Sequence, residues 1–245
     1  MGACTRTVKC TDCHDPHAAG PSEGVPVGGD NPAHIEACLT CHEQYQNKSA
    51  QIAHSRHPEQ SGVTCLDCHM PRMTQGLAHV TRTHRISSPT DAGMLEQAAP
   101  NACNLCHLDR PLQWTLDQLA AGWGVSIEAE ASWTEAYAER MDGPVGEAWL
   151  QHRIPQVRLV AADAYSRSPL GTAPLPQVIG TLNDDYAVNR TFGLFAVERI
   201  LGRRLSAEEY RLYADPAIRS AQVEALLPVL QEAVPGGPGE EAVGP

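Results

Sequence analysis

Four times between Cys10 and His107 the chain writes Cys-x-x-Cys-His: Cys10-Thr-Asp-Cys13-His14, Cys38-Leu-Thr-Cys41-His42, Cys65-Leu-Asp-Cys68-His69 and Cys103-Asn-Leu-Cys106-His107. No other feature restricts the fold as tightly. Two cysteines three positions apart share one face of a helical turn. From there both sulfurs reach the vinyl groups of one porphyrin, and the histidine that follows meets the iron from one side. This is the attachment signature of c-type haem. The copies use eight of the nine cysteines, and every Cys-x-x-Cys is followed by His. Structural zinc also takes paired Cys-x-x-Cys motifs, but it has no use for a histidine after every second cysteine. The sequence therefore predicts four covalent haem c groups, with His14, His42, His69 and His107 as proximal iron ligands.

Composition agrees. Residues 1–110 contain one aromatic, Tyr45, while all four Trp and both Phe lie beyond. A segment so poor in large side chains does not bury a sizeable core by itself. Four porphyrins supply the missing bulk, and motifs that begin at Cys10, Cys38, Cys65 and Cys103 are close enough in sequence to crowd them together. The net charge of −11 argues against nucleic acid, which needs a basic footprint, and permits steering toward a basic redox partner. No apolar run is long enough to span a membrane. Haem of this type is attached outside the cytoplasm, so the expected location is periplasmic, cell-surface or extracellular. No secretory signal is visible, so Met1 is expected to follow a removed leader or missing residues. Cys4, the odd cysteine, is expected as a structural or free thiol.

The expected fold class is mainly α. An irregular, haem-packed segment with short helices covers residues 1–110, an α-helical domain covers 111–234, and a flexible tail covers 235–245. Breakers such as Gly20-Pro21, Gly28-Gly29 and Asn31-Pro32 make residues 1–35 loop around the first motif. A helix is expected over 43–57, and irregular chain over 71–102. Leu112 to Trp123 reads as an amphipathic helix stopped by Gly122 and Gly124, with further helices at 127–141 and 145–152. Beyond Pro155, Val157-Arg158 recurs as Val188-Asn189-Arg190 and as Ile218-Arg219, at a period of about 30 residues. Asp184-Asp185 and Asp215-Pro216 precede the second and third copies as helix-start signals. Partner helices are expected at 175–183 and 206–213. The pattern over 155–232 resembles HEAT-type repeats, helix pairs stacked into a solenoid. That resemblance implies an extended face for a redox partner or another copy of the chain.

Each iron has a second axial position, and its occupant decides function. A second protein ligand leaves a closed, low-spin haem suited to electron transfer, whereas an open position admits substrate. Seven histidines remain: His17, His34, His54, His57, His79, His84 and His152. Six of them fall in the haem-rich segment, more than the four required. Met70, Met73 and Met94 are alternatives that this surplus makes unnecessary.

Several stretches carry a family likeness: CTDCHDPH at 10–17, His54-Ser-Arg-His57-Pro58, CLDCHMP at 65–71, Arg82-Thr-His84-Arg85-Ile86, and PNACNLCHLD at 100–109 before the Trp114 helix. Residues 8–124 resemble the multihaem cytochromes distantly similar to pentahaem nitrite reductases and to the tetrahaem cytochromes of ammonia oxidisers. The resemblance implies that His17, His57 and His84 are distal ligands to neighbouring haems. His54, three residues before His57, completes the set, since both can leave one helical face toward different haems. His34 and His79 are the alternates, and His152 is expected to be structural. The catalytic haem of the nitrite reductases is attached through a motif ending in Lys. This chain has no Cys-x-x-Cys-Lys, and its two lysines are Lys9 and Lys48. The expectation is a tetrahaem electron carrier rather than an enzyme. The alternative is an oxidoreductase acting on a small nitrogen or sulfur compound at a five-coordinate haem.

Overall fold

The computed structural model describes residues 8–15, 17, 32–77, 79–91, 95, 100–128 and 142–233. The expected helix over 127–141 falls almost wholly outside them, as do the tail, Cys4 and Met94. The chain divides into two compact units. The first is Met1–Cys103 with Gln113–Ala136, and the second is Asn104–Leu112 with Tyr137–Pro245. The fold is mainly α-helical, and the described residues hold a single two-stranded sheet. Among them no helix is long and apolar enough to cross a membrane.

In the first unit α1 (Cys10–Cys13) is a single turn, and α2 (Pro32–Cys41) opens on proline, whose missing N–H costs nothing at a helix start. A 3-10 turn at Glu43–Tyr45 follows, then α3 (Lys48–Ser55). One continuous helix was expected over 43–57. It is broken because Asn47 adopts an extended backbone and caps α3, its side-chain oxygen accepting from Ser49 N at 2.8 Å. The helix ends at Arg56, which has φ +59°, a left-handed conformation uncommon outside glycine. Next come α4 (Cys65–His69) and an antiparallel hairpin, β1 (Arg72–Gln75) and β2 (Val80–Arg82), where irregular chain was expected. Arg72 pairs with Arg82, Thr74 with Thr81 and Gln75 with Val80, leaving a bulge at Met73. Gly76 N donates to His79 O at 3.1 Å across the turn. A Cβ at Gly76 would lie 2.6 Å from that oxygen, so only glycine fits. Helix α5 (Leu112–Trp123) joins this unit from Gln113 onward.

The second unit holds α6 (Val145–Leu150), α7 (Pro155–Arg167), α8 (Leu175–Val178) continuing as a 3-10 turn over Ile179–Asn183, α9 (Ala187–Leu201) and α10 (Pro216–Ala233). Helix α9 packs on α7 and on the 179–183 turn, which also meets α10. Trp149, Leu108, Leu159, Leu175, Ile179 and Leu182 are fully buried here, whereas among the described residues of the first unit the fully buried large side chains are Leu95, Leu119 and Val80. The conventional core thus sits in the second unit, as the distribution of large residues requires.

The starts of α7, α9 and α10 share a construction. Each has arginine at its fourth position, and the guanidinium folds back onto the carbonyls before the helix. Arg158 Nη1 donates to His152 O at 2.7 Å. Arg190 Nη1 donates to Asp184 O at 2.8 Å and to Asp185 O at 3.0 Å, and Arg219 Nη1 donates to Ala214 O. The expected helix over 206–213 is instead a series of turns. Ser206 and Glu209 do form the reciprocal pair that normally opens a helix, Ser206 N donating to Glu209 Oε2 at 2.8 Å and Glu209 N to Ser206 Oγ at 3.2 Å. Propagation stops because the buried Tyr210 is anchored by its hydroxyl to Leu182 O at 2.7 Å.

Candidate haem-binding site

Each Cys-x-x-Cys-His stretch is folded by contacts of its own. In α1 the Lys9 amide donates to Asp12 Oδ2 at 2.8 Å, and His14 N closes the turn on Cys10 O at 2.9 Å. In α4 Asp67 plays the part of Asp12. Its Oδ2 accepts from Thr64 N at 2.7 Å and from Thr64 Oγ1 at 2.9 Å, and its Oδ1 accepts from Arg82 Nη2 at 2.6 Å. The aspartate inside the motif is therefore a helix-capping group. The second motif ends α2, with Thr40 Oγ1 donating to Ala37 O at 2.6 Å and His42 N to Cys38 O at 3.0 Å. The fourth lies in consecutive turns, where Asn104 Nδ2 donates to His107 O at 3.1 Å and to Arg110 O at 3.2 Å. Burial is the largest influence on the Cys65 thiol and pushes it above its ordinary value, with Asp67 adding to the effect.

The histidine rings fall into pairs. His54 and His69 have centroids 6.1 Å apart and planes within 10° of each other, and His14 and His84 have centroids 6.2 Å apart at 31°. A metal–imidazole nitrogen bond of about 2.0 Å, with the ring centre roughly 1 Å further out on each side, sets the two centres of a trans pair about 6 Å apart. The centroid separations of both pairs match that distance. His34 stands edge-on to His14 at 4.8 Å, short of the separation of a trans pair. The His69 Nδ1–H donates to Ser87 O at 2.8 Å, and Ser87 N returns a bond to His69 O at 3.0 Å. The His57 Nδ1–H donates to Ser55 O at 2.7 Å. A carbonyl only accepts, so in both rings the proton sits on Nδ1 and Nε2 carries the lone pair that a metal takes.

Tyr45 lies among these rings, stacked on His42 at 6.5 Å and packed on His54 at 4.5 Å. Helix α5 reaches the same place, where Trp123 Nε1 donates to His54 O at 2.9 Å. Partial burial of the otherwise exposed His54 ring, then the nearby His69 and His42, hold it below its ordinary pKa. His17 is exposed, its amide bonded to Asp15 Oδ1 at 2.8 Å. His79 sits in the hairpin turn, with Nδ1 buried and without a hydrogen-bond partner among the described residues. Met70 and Met73 are half-buried beside β1. His152 lies apart from these rings in the sequence order of the haem motifs. It is buried in the second unit, its Nδ1 accepts from Ile154 N at 3.1 Å, and its carbonyl receives Arg158. Burial, with Arg153 and Arg158 nearby, lowers its pKa.

The donor set suits haem. Each motif sets two cysteines three apart and a histidine directly after the second, which are the thioether and iron donors of haem c. The pairing of rings and the contributions of Tyr45, Ser87 and Trp123 were not anticipated from sequence. Tyr45 did carry a signal, being the one aromatic within 1–110. Residues 4–47, with the first two motifs, match the family model for a doubled CXXCH motif, and residues 51–121, with the last two, match that for cytochrome c552. No curated protein and no solved structure matches the chain. The N-terminal part of this protein is a c-type cytochrome domain with doubled CXXCH motifs for covalent haem.

Proposed function

We propose that the protein is an extracytoplasmic electron carrier with four bis-histidine haems c. The observation that carries this reading is the ring separation within each pair, 6.1 Å for His54–His69 and 6.2 Å for His14–His84. Bound haem supplies reversible one-electron chemistry at iron. The chain's share is to attach, ligate and shield. Cys10 and Cys13, Cys38 and Cys41, Cys65 and Cys68, and Cys103 and Cys106 form the thioethers. His14, His42, His69 and His107 give the first ligand. His84 would supply the second ligand with His14, and His54 with His69. His17 and His57 are assigned to the other two irons, His57 being already held in the ligating tautomer by Ser55. With both axial positions filled from the chain, a small substrate has no place to bind. The location follows from covalent haem attachment outside the cytoplasm.

The second unit is read as a HEAT-like repeat array. Support comes from the three fourth-position arginines, which place Arg158, Arg190 and Arg219 in equivalent roles at intervals of about 30 residues. The partners are redox proteins or further copies of this chain. Pyridine haemochrome analysis of the purified protein is expected to give four haems per chain. Its electron paramagnetic resonance spectrum is expected to be low-spin throughout, unmoved by nitrite, hydroxylamine or cyanide. A high-spin fraction that binds one of these refutes the carrier reading and favours the oxidoreductase.

A further inference from the structure

We propose that Tyr45 is a positioning residue that fixes the ring plane of His54, and so sets the electronic state of the iron that His54 and His69 share. This rests on the reading of those two histidines as an axial pair. A histidine's second side-chain torsion is broad and weakly quantised, so an axial imidazole takes its plane from its neighbours. For His69 the neighbour is Ser87 O, which fixes the ring through the 2.8 Å bond from Nδ1. His54 is an exposed residue at the end of α3. Its main chain is held by Trp123 through the carbonyl, at 2.9 Å, but that bond leaves the imidazole free to turn. Among the described residues, the side chain packed against its ring is Tyr45, at 4.5 Å between centroids.

Tyr45 is itself well anchored. Its amide donates to His42 O at 2.9 Å, its carbonyl accepts from Gln51 Nε2 at 2.7 Å, and its ring stacks on His42. The outcome is the 10° angle between the His54 and His69 planes. Parallel axial rings both donate into the same iron d orbital and split the set strongly, whereas crossed rings leave it nearly degenerate. The highest g value of a low-spin ferric haem reports this difference. Placing the one aromatic of the haem-rich segment against a ligand ring has an electronic consequence that core filling alone does not explain.

The test is frozen-solution electron paramagnetic resonance on the haem-loaded full chain. Tyr45→Leu is expected to move the highest g value of one low-spin signal upward, with haem count and the other signals unchanged. Tyr45→Phe, which keeps the ring and loses the hydroxyl, is expected to retain the original spectrum. Tyr45→Met, bulky but not flat, gives the same readout should Tyr45→Leu load fewer haems. An unmoved spectrum in the Leu and Met variants overturns the proposal, as does an equal shift in Tyr45→Phe. His54→Ala separates the layers. If it yields no high-spin signal, the axial reading itself fails. If it does, and Tyr45→Leu still leaves the spectrum unmoved, only the role of Tyr45 fails.

Discussion

Asp67 ties the third haem-binding turn to the hairpin that follows it, and Asp67→Ala tests how much that tie contributes. The carboxylate takes two bonds from Thr64, at 2.7 and 2.9 Å, and one from Arg82 at 2.6 Å. Losing a helix-start cap costs about 1 kcal/mol. Losing a hydrogen bond to a charged partner costs about 1.5–3 kcal/mol. The Arg82 and Asp67 side chains are 11% and 30% exposed, so water screens part of the second contribution and its lower half applies. Arg82 also keeps its bond to Met70 O at 3.1 Å. The expected loss is about 3 kcal/mol, on the order of 100-fold in the local opening equilibrium. Hydrogen exchange read by mass spectrometry over residues 80–88 measures it, because Thr83 N is bonded to Pro71 O and Ser87 N to His69 O, each at 3.0 Å. Arg82→Met should accelerate the same amides, and the double variant should cost clearly less than the sum of the two. Protection over 80–88 that stays within about threefold of the parent in Asp67→Ala, far short of the 100-fold set by the local free energy, refutes the reasoning.

In the second unit, Asp184→Ala should lower stability by about 3 kcal/mol, because the largely buried Arg158 guanidinium loses its ion-pair partner and keeps only its bonds to backbone carbonyls. Arg158 binds this carboxylate in bidentate fashion at 2.6 and 3.0 Å. Denaturant titration followed by circular dichroism measures the loss, and adding Arg158→Met should recover part of it. Burial alone would raise the Asp184 pKa, but the bonds from Arg158, Asn189 and the Tyr186 amide outweigh it and hold the carboxyl below the usual range. Its contribution is therefore complete above the ordinary carboxylate range and lost as pH falls through the depressed folded value, so acid titration of Asp184→Ala should be flatter there than that of the parent. Gly193→Ala drives a methyl group into the Thr181 hydroxyl and to 3.0 Å from Thr181 Cβ. It should cost about 1–3 kcal/mol by thermal unfolding, and less in a Thr181→Ala background.

What the sequence could reveal depended on the range of the interactions that decide each part. The four attachment turns and the starts of α7, α9 and α10 are set by groups close by in the chain, so motif and spacing expose them. The hairpin is set at longer range. Arg72-Met-Thr-Gln and Val-Thr-Arg82 show no clear alternation of apolar and polar residues, and β2 is held by the reach of Arg82 back to Asp67. At 206–213 a genuine helix-start signal was outvoted by the anchoring of Tyr210 to Leu182, on a separate element well upstream. The ring pairs were the least legible. His54 and His69 belong to different helices, His14 and His84 lie near opposite ends of the haem-rich segment, and no local pattern announces which ring faces which.

The back-folded arginines of α7, α9 and α10 make each helix start self-sufficient, since anchor and acceptor are near neighbours in the chain. Under the repeat reading proposed above, each segment of about 30 residues carries its own anchor with it and asks nothing new of its neighbours. Loss of one such anchor should therefore loosen its own helix start first and leave the others, and the haem turns upstream, with their own fixings.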